Sequence, residues 1–285
     1  MSGKATGIKV VPEVTPLLGG NEDKWRLLII ADRYQANEAA VFDAQARRLA
    51  MHISTQAPFN RAGIKGRFQI YACFTPTGPE GMFEFDDRES ERRYYGKPAL
   101  VREYLNRHKA KKPVLKRRRN DIALVLTNFP KRGGAGEQGD DNIAWSTPVH
   151  LYFENGVMRE DWCDVTLHEL GHAFDLEDEY EDAWAEGDKL PLRGTNVWPD
   201  DRLDEASWLA ICDTSPPDRV SHPISPFGAD DLALFGRIGA GLFQGARYSS
   251  TAFWRSALRC KMRSTPDPFC KVCQRQIAAK IEGNG

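Results

Sequence analysis

The chain has 285 residues, 41% of them hydrophobic and 28% charged, with Lys+Arg 39 against Asp+Glu 40 for a formal net charge of −1. That length is enough for one large domain or two modest ones with a sizeable core, and the composition is that of a globular protein rather than a disordered or fibrous one. Balanced charge excludes recruitment of nucleic acid or an anionic membrane by a global field, and the longest apolar run near the start, residues 27–31, falls far short of the roughly 20 residues that span a bilayer.

Residues 1–24 read as a lead-in. They carry Lys4 and Lys9 but no apolar run before a small-residue cleavage site, so a cytoplasmic location is expected, or export without a recognisable signal peptide. Residues 25–32 (WRLLIIAD) have the β-formers of a buried strand, and from Asn37 the residues Val41, Phe42, Ala46, Leu49 and Ile53 give a helix one apolar face. Residues 67–74 and 121–129 are further strand candidates. Strand, helix, strand, helix, strand predicts an α/β layer with parallel neighbours. The basic runs at 107–112 and 116–119 read as a solvated helix end and a linker. The glycine-rich residues 133–139 read as a flexible turn into an edge strand at 142–148, since they lack the spacing of a phosphate or dinucleotide loop.

The chemistry lies in residues 164–180, DVTLHELGHAFDLEDEY. His168 and His172, four apart on a helix, share one face and can converge on a single Zn²⁺, while Glu169 stands beside the metal, where a carboxylate can take a proton from an activated water. Two histidines leave a zinc site incomplete. Asp178, six residues past His172, has the third-ligand spacing of the metzincin arrangement, with Asp175, Glu177 and Glu179 as competitors. Metzincins usually place glycine where this chain has Asp175, one of the few other residue types that tolerate the left-handed turn required there. Tyr180 and Tyr248 are candidates to bond a tetrahedral intermediate, and His108, His150 and His222 read as surface or core residues.

Between Asp182 and Ser250 no periodic pattern is sustained. With Trp184, Trp198 and Trp208, that segment is the candidate for substrate specificity. Beyond it, residues 260–273 (CKMRSTPDPFCKVC) offer Met262 in a tight turn ahead of a last helix. The six cysteines, Cys73, Cys163, Cys212, Cys260, Cys270 and Cys273, are too few for a disulfide scaffold. Cys270 and Cys273 with Cys260 read as structural thiols or a bridge, with a redox pair or a metal site as the alternatives. A fourth metal ligand, Cys212 or His222, would stand at no recognisable spacing.

These stretches resemble the immunoglobulin A peptidase family of zinc metallopeptidases. The likeness lies in LHELGHAF (residues 167–174) leading to Asp178, Glu179 and Tyr180, and in Cys260, Met262, Arg263 and Ser264 leading to Phe269, Cys270, Val272 and Cys273. Residues 27–34 (LLIIADRY), with the helix and strand that follow, match less specifically. The resemblance implies one metzincin-like catalytic domain over residues 25–285, with zinc on His168, His172 and Asp178, Glu169 as catalytic base and Met262 as the Met-turn residue. The expected fold is α/β: a twisted mixed sheet with the active-site helix over residues 25–180, then a smaller C-terminal part, 181–285, with long loops, the Met turn and a final helix. The expected activity is zinc-dependent endopeptidase action on a polypeptide that pairs with the edge strand. The rivals are a zinc amidase acting on cell-wall or other non-protein amides and a non-catalytic binding protein, the latter disfavoured by the intact Glu169.

Overall fold

In the computed structural model, residues 12–19, 25–76, 81–86, 93–136, 141–149, 153–154, 157–158, 162–180, 192, 194, 196–199, 243–257 and 259–283 are described. In chain order they form β1 (Glu13–Leu18), β2 (Trp25–Asp32), a 3-10 turn (Ala36–Glu38) leading into α1 (Ala39–Thr55), the short α2 (Ala62–Lys65), β3 (Phe68–Phe74), β4 (Phe83–Asp86), β5 (Arg93–Gly96) and α3 (Pro98–His108). Then come β6 (Ile122–Thr127), β7 (Gly134–Gly136), β8 (Ile143–Ser146), β9 (Phe153–Glu154), β10 (Val157–Met158), α4 (Trp162–Ala173), β11 (Val197–Pro199), β12 (Phe243–Ala246), β13 (Ser249–Arg255) and α5 (Lys271–Glu282).

One mixed sheet has the order β1-β3-β2-β6-β8-β7. β3, β2, β6 and β8 run parallel, and the two edge strands, β1 and β7, are antiparallel to their neighbours. Every residue of β2 is buried, as a parallel strand covered on both faces requires. Its pleat sends Leu27, Ile29 and Ala31 into a core shared with Leu49 of α1, Leu167 of α4 and Ile277 of α5. Leu28 and Ile30 go to the opposite face, against Val101 and Leu105 of α3. Each leucine, isoleucine or valine so placed contributes about 1.5–3 kcal/mol by leaving water. Among the described residues no helix is long and apolar enough to cross a membrane.

The strands and helix expected at 25–32, 37–56, 67–74 and 121–129 stand as β2, α1, β3 and β6. The expected edge is displaced by one strand. β8, from the 142–148 stretch, is interior, because β7 pairs along its outer side, with Gly134 opposite Ser146 and Gly136 opposite Ala144. β7 comes from the glycine-rich residues read as a turn. A Cβ at Gly134 would lie 2.4 Å from the Glu169 side chain, and one at Gly136 would lie 2.5 Å from the Glu169 carbonyl and 2.6 Å from His172 Cβ. Glycine here serves the close approach of a strand to a helix.

The basic loop after α3 is partly neutralised within the chain, with Arg118 3.2 Å from Asp121 and Arg117 3.7 Å from Asp141. Further on, β11 and β12 flank β13, and Trp198 lies opposite Trp254. Trp184, Trp208, Cys212, His150 and His222 lie outside the described residues. His108 is buried at the end of α3, edge-on to Tyr104. The last helix returns to the first half of the chain, where Trp25 Nε1 donates to the Lys280 carbonyl at 2.9 Å.

Candidate metal centre

α4 is docked by its own polar residues as well as by apolar burial: Thr166 Oγ1 donates to the Trp162 carbonyl at 2.9 Å and meets Ser146 Oγ of β8 at 2.7 Å. The helix stops at a left-handed residue, Asp175, with φ 59°. The Leu176 amide returns to the Gly171 carbonyl at 3.0 Å and the Asp175 amide to the His172 carbonyl at 2.8 Å, the paired bonds of a Schellman stop. The turn expected at Asp175 is therefore made without glycine. Lys280 pairs with the Asp175 carboxylate on its outer side.

The stop turns the chain back across the helix. His168 and His172 stand edge to face with ring centroids 5.1 Å apart, and Asp178 Oδ1 lies 3.2 Å from His168 Nε2 and 3.3 Å from His172 Nε2. Each imidazole is oriented through its other nitrogen: His168 Nδ1 is 2.8 Å from the Lys261 carbonyl and His172 Nδ1 is 2.9 Å from the Leu176 carbonyl. A carbonyl only accepts, so both Nδ1 atoms carry hydrogen, and in the neutral rings both Nε2 atoms present lone pairs. Asp178 Oδ1 is buried and receives no well-directed hydrogen bond. Three lone pairs meeting within hydrogen-bond distance repel unless a proton or a metal cation lies among them, and two imidazoles with one carboxylate suit a borderline divalent metal.

In the absence of a metal the same attraction for positive charge is met by protons. Burial disfavours charge on His172, but Asp178 outweighs it and pushes the imidazole up to about 9; His168 is raised in the same way. Burial also opposes ionisation of Asp178, yet the two histidines hold it well below the usual carboxylate range. Glu169, whose carboxylate lies beside Gly134, is raised by burial, with both imidazoles pulling the other way. It is within reach of the same point, since donor atoms of His168, Glu169 and His172 lie within 4.8 Å of one another.

Met262 is fully buried beneath the helix, where a Cβ on Gly171 would lie 2.4 Å from its Sδ. Its turn holds both sides of the cluster: the Lys261 carbonyl orients His168, and the Met262 carbonyl accepts from the Glu179 amide at 2.8 Å. Tyr180 stacks near His168 and donates to Tyr248 at 2.9 Å, and Tyr248 donates to Asp178 Oδ2 at 2.6 Å. Tyr248 thus orients the carboxylate. Lys261 was not foreseen as part of the centre; its buried Nζ donates to Asp164 at 2.8 Å. The competing carboxylates point elsewhere, Glu177 to the Gly194 amide at 3.1 Å and to Arg247 at 3.4 Å, and Glu179 to Asn196 and the thiols.

No curated protein matches the sequence. Residues 17–191, which include α4 and Asp178, match the IgA peptidase M64 family. Because that match covers more than half of the chain, the protein belongs to this family of metallopeptidases, whose substrates are polypeptides.

Proposed function

We propose that the protein is a zinc-dependent endopeptidase in which His168, His172 and Asp178 hold the metal and Glu169 carries the proton. The observation behind this reading is the convergence of two Nε2 lone pairs and the Asp178 Oδ1 lone pair, each fixed from behind by a partner that uses the other atom of the group. Zinc, when bound, acidifies water and polarises a carbonyl. The Glu169 carboxylate takes a proton from the attacking water and returns it to the leaving amine nitrogen. Met262 supports the centre from below as the Met-turn residue of a metzincin-like arrangement, and residues 25–285 act as one catalytic domain. That boundary is supported by one core cluster whose members run from Trp25 to Ile281. An extended polypeptide adds to the outer side of β7, which lies against Glu169.

The test is elemental analysis of wild type, His168→Ala, Asp178→Ala and Glu169→Gln, alongside cleavage assays on proteins, peptides and cell-wall fragments. The first two variants should each lack one zinc equivalent relative to wild type, and the third should keep it while losing peptide-bond hydrolysis. Cleavage of cell-wall amides alone would replace the endopeptidase reading by an amidase. Full biological activity in zinc-loaded Glu169→Gln would replace it by a binding role.

A further inference from the structure

Asp178 and Glu179 send their carboxylates into different clusters. Glu179 joins Cys260, Cys270 and Cys273, and donor atoms of all four lie within 4.8 Å of one another. Cys260 Sγ is 3.6 Å from Cys273 Sγ, and Glu179 Oε1 is 3.1 Å from Cys273 Sγ and 3.8 Å from Cys270 Sγ. With zinc–sulfur bonds of about 2.3 Å and zinc–oxygen bonds of about 2.0–2.2 Å, the edges of a tetrahedral site measure roughly 3.5–3.8 Å. A disulfide requires about 2.05 Å and would strand the third sulfur; all three thiols are free.

Two further features point to a ligand. Glu179 is fully buried, and although Oε1 accepts from Asn196 at 3.1 Å, Oε2 has no partner. An ionised carboxylate left so among sulfurs is costly unless it takes up a proton or a metal cation joins it. Two of the three sulfurs also receive backbone amides that favour negative charge on them. The Cys270 amide points at Cys260 Sγ (3.4 Å), the Cys273 amide points at Cys270 Sγ (3.5 Å), and Cys270 caps the N-terminus of α5, where the helix favours a thiolate.

We propose that Cys260, Cys270, Cys273 and Glu179 form a second metal site, a closed structural zinc site separate from the α4 centre. Binding would displace the thiol protons to solvent and leave three thiolates and one carboxylate on the ion. The metal would fasten three pieces of chain: the segment bearing Asp178, the turn bearing Met262 and the start of α5. The fourth ligand among the described residues is the one next to Asp178.

The deciding measurement is the absorption spectrum of reduced, metal-free wild type titrated with Co²⁺. The α4 donors contain no sulfur, so a strong thiolate-to-cobalt band in the near ultraviolet reports this cluster alone. We expect the band at one cobalt equivalent, and we expect it to persist in His168→Ala/His172→Ala and to vanish in Cys270→Ser/Cys273→Ser. Zinc should follow the same pattern, with two equivalents in wild type and one in each double variant. Glu179→Ala should weaken binding about 10–100-fold, and Glu179→Cys should restore it. Absence of the band from folded wild type, or a mass two hydrogens lighter that reveals a Cys260 bridge, would overturn the site. Neither result depends on peptidase activity.

Discussion

The two donor clusters on either side of the peptide joining Asp178 and Glu179 differ in chemistry and in closure. At α4 the donors are two imidazoles and a carboxylate, and His168, Glu169, His172 and Asp178 each keep 8–9% of their surface exposed. At the head of α5 the donors are three sulfurs and a carboxylate, and Glu179, Cys260 and Cys273 are at 0%, with Cys270 at 8%. Three harder donors with access to water suit a metal that must exchange a ligand, whereas four donors that are mostly sulfur, three of them sealed from water, suit one that stays in place. One short extended segment serves both, so a fixed cluster can hold the geometry of an exchanging one.

The comparison breaks first at Glu169. If the α4 cluster is the reacting one, Glu169→Gln should lower peptide hydrolysis by about 10²–10⁴-fold, the usual worth of a positioned acid–base group, with metal content unchanged. Zinc loss in this variant, measured by elemental analysis, would make Glu169 a ligand and remove the proton carrier from the scheme.

Next comes Tyr248. Removing its hydroxyl leaves Asp178 Oδ2 without its 2.6 Å donor, and the loss of an orienting partner of this kind costs about 10–100-fold in metal affinity. Tyr248→Phe should show that loss at the α4 centre in competition with a chelator, while the cobalt–thiolate band stays unchanged. A weakened band would show that the two clusters share their supports.

What could be read in advance follows from how local each feature is. The meeting of His168 and His172 was legible because helical period is a property of neighbouring residues, and that of Asp178 through its six-residue metzincin spacing, which the left-handed stop at Asp175 realises. Tyr248 lies 70 residues from its partner Asp178, and Lys261 lies 97 from Asp164. No periodicity links such positions, so their roles depend on the finished fold. The thiols were visible, but their carboxylate partner was hidden inside the motif assigned to the other cluster. β7 misled for a different reason: glycine has poor strand propensity, and only the helix lying against it explains why glycine is required.

That contact gives a smaller effect. Gly136→Ala places a methyl group against the Glu169 carbonyl and His172 Cβ, and overpacking of this kind costs about 1–3 kcal/mol. Denaturant melts should show it, together with weaker metal binding at the α4 cluster. Gly63→Ala is the control, since nothing lies within 4 Å of the added carbon. Equal effects at the two positions would remove the close-approach argument.

The smallest effect joins the clusters instead of separating them. Asp164, in the first turn of α4, meets His52 Nε2 at 3.0 Å and Lys261 Nζ at 2.8 Å. Burial alone would raise its carboxyl, but these partners prevail and hold it below the ordinary 3.8. A depressed folded pKa gives stability that is fully present above the unfolded value and is lost as pH falls through the folded one. Asp164→Asn should therefore cost about 1 kcal/mol near pH 7, a modest figure because the group is partly solvated. The gap to wild type should close as the medium is acidified below about pH 4. A pH-independent gap in denaturant melts would mean packing rather than charge, and a widening one would contradict the sign. Lys261 stands between Cys260, a thiol of one cluster, and Met262, beneath the other. Freeing its side chain should weaken both metal sites together, a signature that neither Tyr248→Phe nor a change to the thiols produces.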